Sequence, residues 1–90
     1  MTVERVQRME TLLNDALAPE SIEIEDEGHL HVGHEGAKGG LGHFRLSIVS
    51  PVFNGKGRLA RHRAVYAALG DMMQTDIHAL TIEAVASDEF

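Results

Sequence analysis

Near the start of the chain, apolar residues recur three and four positions apart: Val3, Val6, Met9, Leu12, Leu13, Ala16 and Leu17. Glu, Arg, Gln and Asn fill the intervals, which predicts an amphipathic helix with Thr2 as its N-cap and Pro19 as its stop. At residues 21–26 the period changes to two. Ile22 and Ile24 fall on one side and Glu23 and Glu25 on the other, the mark of a strand with one solvated face. The pattern dissolves between residues 27 and 42, where six of the nine glycines lie (Gly28, Gly33, Gly36, Gly39, Gly40, Gly42) together with His29, His31 and His34. A loop this long in so short a chain is uncommon, and usually functional or mobile.

Alternation returns over residues 43–49, with Phe44, Leu46 and Ile48 on one face and Val49 making the strand partly two-sided. Ser50-Pro51 ends it, and Phe53-Asn54-Gly55 reads as a turn. A second helix is expected over residues 59–73, with Leu59, Val65, Tyr66, Leu69, Met72 and Met73 on one arc, His62 in its middle and Arg61 and Arg63 on its flanks. Residues 77–85 form the last predicted strand, with His78, Leu80, Ile82 and Ala84 on one face, and residues 86–90 look like a frayed, flexible tail. There is no internal repeat, so residues 1–90 read as one domain.

The predicted order is helix, strand, strand, helix, strand: an α+β chain. A strand–helix–strand crossover makes its two strands parallel, while the first two strands, joined by the loop, pair antiparallel. A three-stranded mixed sheet covered by helices on one face follows. If the second and third strands are neighbours, both begin at the same end of the sheet, and the loop feeds that end. His78, at the start of the third strand, should then lie near the loop that carries His31 and His34.

Composition narrows the chemistry. With 90 residues, 43% hydrophobic and 24% charged, the chain is an ordinary globular domain with a lean, mostly aliphatic core. It has no cysteine, which removes disulfides, a thiol nucleophile and any self-sufficient thiolate metal site. The N-terminus is charged from the start and has no apolar run for a signal or a membrane span, which predicts a cytoplasmic, membrane-free protein. A net charge of −6 disfavours indiscriminate nucleic-acid binding. Even so, Lys56, Arg58, Arg61 and Arg63 gather half of the eight basic side chains in one stretch suited to phosphates or a partner's carboxylates, or simply to a solvated helix start.

Two tempting motifs fail. Gly39-Gly40-Leu41-Gly42 precedes a strand, so no helix N-terminus is available to hold a phosphate. No serine or acidic residue stands in a triad or carboxylate-pair context, so an enzyme is not expected.

Ser50-x-x-Phe53-x-Gly55, then Arg61-His62-Arg63-Ala64-Val65-Tyr66, then Ile77-His78-Ala79-Leu80 resemble the signature of the BolA family in identity and spacing. The likeness extends to His43-Phe44 and the histidine- and glycine-rich loop before it. It implies a class II KH-like fold, in agreement with the order above. It also implies a partner, a monothiol glutaredoxin, with which such proteins share a 2Fe–2S cluster together with glutathione. Carried over by position, the ligands on this side are His78 and a loop residue, His34, with His31 as the alternative. Two imidazoles can replace two thiolates on one iron, so a chain without thiols completes only half of such a site. Alone, it is expected to hold no cluster and to be a monomer or a weak homodimer.

Bland readings stand beside these. Spacing alone makes His78 an inward strand residue and His34 an exposed loop residue. His62 reads as a buried, backbone-bonded histidine, and Tyr66, Phe53 and Gly55 as structural. His43 reads as packing or surface. Zinc alone lacks a defensible ligand spacing. The runner-up function is that of a DNA-binding regulator of morphology and stress response. Against a KH-style grip on nucleic acid, the region reads Gly55-Lys56-Gly57-Arg58 and lacks the G-x-x-G spacing.

Overall fold

The computed structural model describes residues 2–27 and 42–89. Helix α1 (Thr2–Leu17) is followed by strands β1 (Ser21–Asp26) and β2 (Gly42–Ser50) and a 3-10 turn at Pro51–Phe53. Helix α2 (Arg58–Leu69), a single turn α3 (Met72–Thr75), strand β3 (Ile77–Ala86) and a 3-10 turn at Ser87–Glu89 complete the chain. The sheet order is β1-β2-β3, with β1 antiparallel and β3 parallel to β2. This is the α+β architecture that the periodicities predict.

One core joins the elements. Met9, Leu13 and Leu17 of α1 meet Phe44, Leu46 and Ile48 of β2, and Phe53, Val65, Leu69, Met72, Ile77 and Ala86 close the cluster. The i, i+4 spacing in α1 and the i, i+2 spacing in β2 each place the side chains on one face. Val3 lies outside this core and is exposed. Ser50 is the one fully buried polar residue among those described. Its hydroxyl donates to Leu17 O at 2.6 Å and accepts from Val52 N at 3.1 Å, tying the end of α1 to the turn that follows β2. A buried hydroxyl without such partners would cost roughly 1–3 kcal/mol.

The second helix is shorter than its periodicity suggests. It stops at Leu69 because Gly70 takes φ 55° and ψ −128°, while its N–H still bonds Tyr66 O at 3.0 Å. The chain then restarts as α3, which buries Met72. The buried side of α2 is also rotated from the predicted arc: Val65 and Leu69 are core, while Leu59 and Tyr66 are exposed. Tyr66 is therefore not a core residue. Small Ala64 and Ala68 take the contact side instead and let α2 approach its neighbours closely.

The C-terminal residues, where the pattern suggests a frayed tail, are tied down as far as Glu89. Ala86 is fully buried. Arg61 grips Glu89 through Nη1–Oε1 at 2.8 Å and Nη2–Oε2 at 3.1 Å, and Glu89 Oε1 accepts Ala86 N–H at 2.8 Å. Asn54 Oδ1 accepts Asp88 N–H at 3.3 Å. At the other side of the sheet, Asp76 faces Arg5 Nε at 3.4 Å and Arg8 Nη1 at 3.5 Å, joining α1 to the residue before β3. Among the described residues no helix is long and apolar enough to cross a membrane.

Two predictions follow from this framework. Gly70 occupies a backbone region that side chains avoid, although a Cβ there would meet nothing within 4 Å. Gly70→Ala should therefore lower unfolding stability by about 1–3 kcal/mol through backbone strain alone, read from urea midpoints. The second concerns acid. The Glu89 carboxyl is held below the usual range by the Arg61 guanidinium first and the Ala86 N–H second. That of Asp76 is held down by the Thr75 hydroxyl first, then by Arg8 and Arg5. Both contributions are complete above the unfolded carboxyl range near ~4 and vanish as pH falls through the lower folded values. Urea midpoints measured down a pH series should fall less steeply below about pH 4 in Glu89→Gln than in the parent protein.

Candidate functional site

The start of β3 departs from simple alternation. Gly42 pairs with Ile77 and His43 with Ala79, so the extra residue, His78, is passed over. Such a one-residue bulge shifts the phase of a strand. Ile77 stays in the core, Leu80, Ile82 and Ala84 continue on the helix-covered face, and His78 is exposed. Alternation alone would put His78 inward with Leu80; the bulge turns it out. Its ring lies against that of His43, with centroids 4.9 Å apart and planes tilted by 46°. His43 is half-buried on the face of β2 opposite Phe44.

Backbone bonds bring Glu27 and Gly42, the residues on either side of positions 28–41, to this place. Glu27 N–H bonds His43 O at 2.8 Å, and Gly42 N–H bonds Asp76 O at 2.9 Å. The Phe44 ring folds back over Gly42 so closely that a Cβ there would meet it at 2.5 Å, so a side chain at 42 would have to displace that buried ring. His31 and His34 lie outside the described residues. The described residues place His78 near Glu27 and Gly42, which flank the histidine-bearing segment. Among the described residues no group of three His, Cys, Asp or Glu could hold a metal ion. The described part of the site offers imidazole nitrogen, a good ligand for iron and other transition metals, but not a closed set.

The basic stretch divides in two. Lys56, Arg58 and Arg63 are exposed. Arg61 is not available to a ligand in the same way, which corrects its place among the contact residues. Its Nε donates to Lys56 O at 2.7 Å, and Nη1 reaches Ala84 O at 3.1 Å as well as Glu89. Its side chain is only 14% exposed. Periodicity placed Arg61 on the flank of the helix; its carboxylate partner lies 28 positions away, which no local pattern reveals.

A cleft of about 540 Å³ runs from Lys56, Arg58 and Arg61 to Thr81, Ile82 and Ala84 of β3, with His62 in its wall. His62 is half-buried and makes no hydrogen bond among the described residues, so it is a cleft-lining group rather than a buried, backbone-bonded one. Phe53 is fully buried and Gly55 adopts φ 78° in the turn before α2. The residues that sequence reasoning missed are Glu89, hidden in an acidic terminus, and His43 as the support of His78. The parallel register of the second and third strands was the signal available for His43.

Known proteins share this fold. The BolA domain of SufE1 from Arabidopsis thaliana superposes with a TM-score of 0.83 at 38% identity, over 96% of this chain and 95% of that one. BolA1 from the same plant gives a TM-score of 0.80 at 35% identity, covering 96% of this chain and 95% of that one. In sequence, the UV-induced protein uvi31 of Schizosaccharomyces pombe is 40% identical over 90% of this chain and 83% of its own length. The human BolA-like protein 1 is 42% identical over 82% of this chain, which spans 52% of that protein. SufE-like protein 1 of Arabidopsis, 39% identical over 89% of this chain, is far longer, and the chain spans 23% of it. A family model described as BolA-like protein matches residues 13–89, and the chain belongs to the BolA family.

Proposed function

We propose that this protein is a non-catalytic adaptor that pairs with a monothiol glutaredoxin and contributes two imidazoles to a shared 2Fe–2S cluster. His78 is one ligand and His34 the other, with His31 as the alternative. One observation carries the reading: a bulge holds His78 out of the sheet, beside His43, where the histidine-bearing segment leaves and rejoins the described fold. An exposed imidazole on a chain without thiols suits half of a shared site and not a complete one. The cluster supplies electron-accepting iron; this chain supplies neutral nitrogen donors and, through His43, a fixed ring orientation. A role in stress or iron regulation accords with one relative whose name records induction by ultraviolet light.

The test is to mix the purified chain with cluster-loaded monothiol glutaredoxin and glutathione and to record visible absorption and circular dichroism. The wild type should give a mixed-complex spectrum that weakens as the solution is acidified, since imidazole ligates metal only when neutral. His78→Ala should abolish that spectrum while changing folding stability by less than about 0.5 kcal/mol, as an exposed position allows. An unchanged spectrum and cluster lifetime in His78→Ala would sink the ligand assignment. If His34→Ala is silent and His31→Ala is not, the loop ligand is His31.

A second reading, contact with DNA, is favoured by the three exposed cations Lys56, Arg58 and Arg63. It is weakened by the commitment of Arg61 to Glu89 and by the net charge of −6. Should DNA binding occur, Arg58→Gln with Arg63→Gln should flatten the dependence of affinity on salt by about two phosphate contacts. Sequence-specific nanomolar binding at physiological salt would place this reading above the first.

A further inference from the structure

The outer edge of β3 is half finished. His43 O and Val49 O point toward β1, accepting from Glu27 and Glu20 at 2.8 Å each. Backbone groups alternate sides along a strand, so those of Phe44, Leu46 and Ile48 point toward β3. In the parallel register their partners on β3 are the backbone groups of Ala79, Thr81, Glu83 and Val85. Those of Leu80, Ile82, Ala84 and Ala86 consequently point away from the sheet. Two side-chain bonds agree: Ala84 O accepts from Arg61 at 3.1 Å and Ala86 N–H donates to Glu89 at 2.8 Å. The Arg61–Glu89 pair thus supplies a donor and an acceptor where another strand would. It covers only the last outward groups. By the same alternation, the N–H of Ala84 and both backbone groups of Ile82 and Leu80 face outward, where the three-stranded sheet has no further strand.

We propose that this edge, from Leu80 to Ala84, receives an extended, acidic segment of a partner protein as an added fourth strand. The charge of the cleft along it selects the occupant. Arg61 is neutralised by Glu89 and Arg45 by Glu27, whereas Lys56 and Arg58 form no ion pair among the described residues. Among the described residues that line the cleft, Glu83, on the open face of the sheet, is the one carboxylate not paired with an arginine, and Asp88 lies near Arg61 outside that lining. A chain with a net charge of −6 therefore concentrates uncompensated positive charge beside an open strand edge. The opposite edge is guarded in the usual way, since β1 carries Glu23, Glu25 and Asp26. β3 has no lysine and no proline, and its bulge lies at its far end. Main-chain bonds to such an edge give affinity, and side-chain charges give selectivity.

The experiment uses the full chain, labelled with ¹⁵N, and the synthetic peptide acetyl-Glu-Val-Glu-Val-Glu-amide. Saturating peptide should slow amide hydrogen exchange at Ile82 and Ala84 by at least about tenfold, with affinity measured from the same titration. Methylating alternate peptide nitrogens should weaken binding about tenfold or more, which charge attraction alone would not produce. Lys56→Glu with Arg58→Glu should weaken it equally without moving the melting temperature, both side chains being exposed. Four results would each overturn the proposal: no slowing at these amides with millimolar peptide, equal binding of the Lys-Val counterpart, indifference to methylation, or slowing that grows with protein concentration alone. The last would mean that a second copy of the chain occupies the edge. Neither metal nor thiol enters the assay, so its outcome is separate from that of the cluster reading.

Discussion

Strand β2 is bonded on both sides and covered on one. Its backbone satisfies β1 through one set of peptide groups and β3 through the alternate set, while Phe44, Leu46 and Ile48 sink into the helices. Each fully buried side chain of this kind contributes roughly 1.5–3 kcal/mol. A slip of one residue would expose all three and strand the hydrogen bonds of both neighbours. The register of β2 is thus fixed by burial and by pairing together, and the other elements take their places from it. Ser50, at its end, carries that constraint into the helical layer through the carbonyl of Leu17.

The parallel pairing of β2 with β3 has two consequences at opposite ends of the edge strand. At its start, Ile77 must remain in the core beside Gly42 while Leu80 must also face the helices, and three positions cannot satisfy a period of two. The bulge absorbs the mismatch and sets His78 on His43. At its finish, the crossover through α2 brings Arg61 across the outward carbonyl of Ala84, where Glu89 joins it. With Glu89 half exposed, the ion pair contributes little through charge alone. It also satisfies main-chain groups and holds the last turn against the strand. The same architecture therefore presents an imidazole at one end and closes the edge at the other, leaving the middle open.

Much of this was legible in the residues. Period two in Ile22/Ile24 and Phe44/Leu46/Ile48, and period near 3.6 in Met9, Leu13 and Leu17, gave the elements, because each reports a local geometry that a few neighbouring residues enforce. Topology followed from the lengths of the connections, and the motifs around Phe53, His62 and His78 were readable as a BolA signature. The arc of α2 was less faithful. Leu59 and Tyr66 are apolar enough to seem interior, yet the alanines at 64 and 68 decide which side can approach the sheet.

What the sequence determined by itself was the set of elements, their order, the absence of thiolate chemistry and the uneven placing of histidine and basic residues. Only the tertiary structure decided which way His78 points, that His43 supports it, and that Arg61 serves the fold through Glu89 rather than standing ready for a ligand. The physical reason is range. Periodicity records the preference of a residue for water or for its immediate turn of backbone. A bulge, a ring contact across parallel strands and an ion pair spanning 28 positions depend on where two distant stretches meet. That is set by packing the whole core at once.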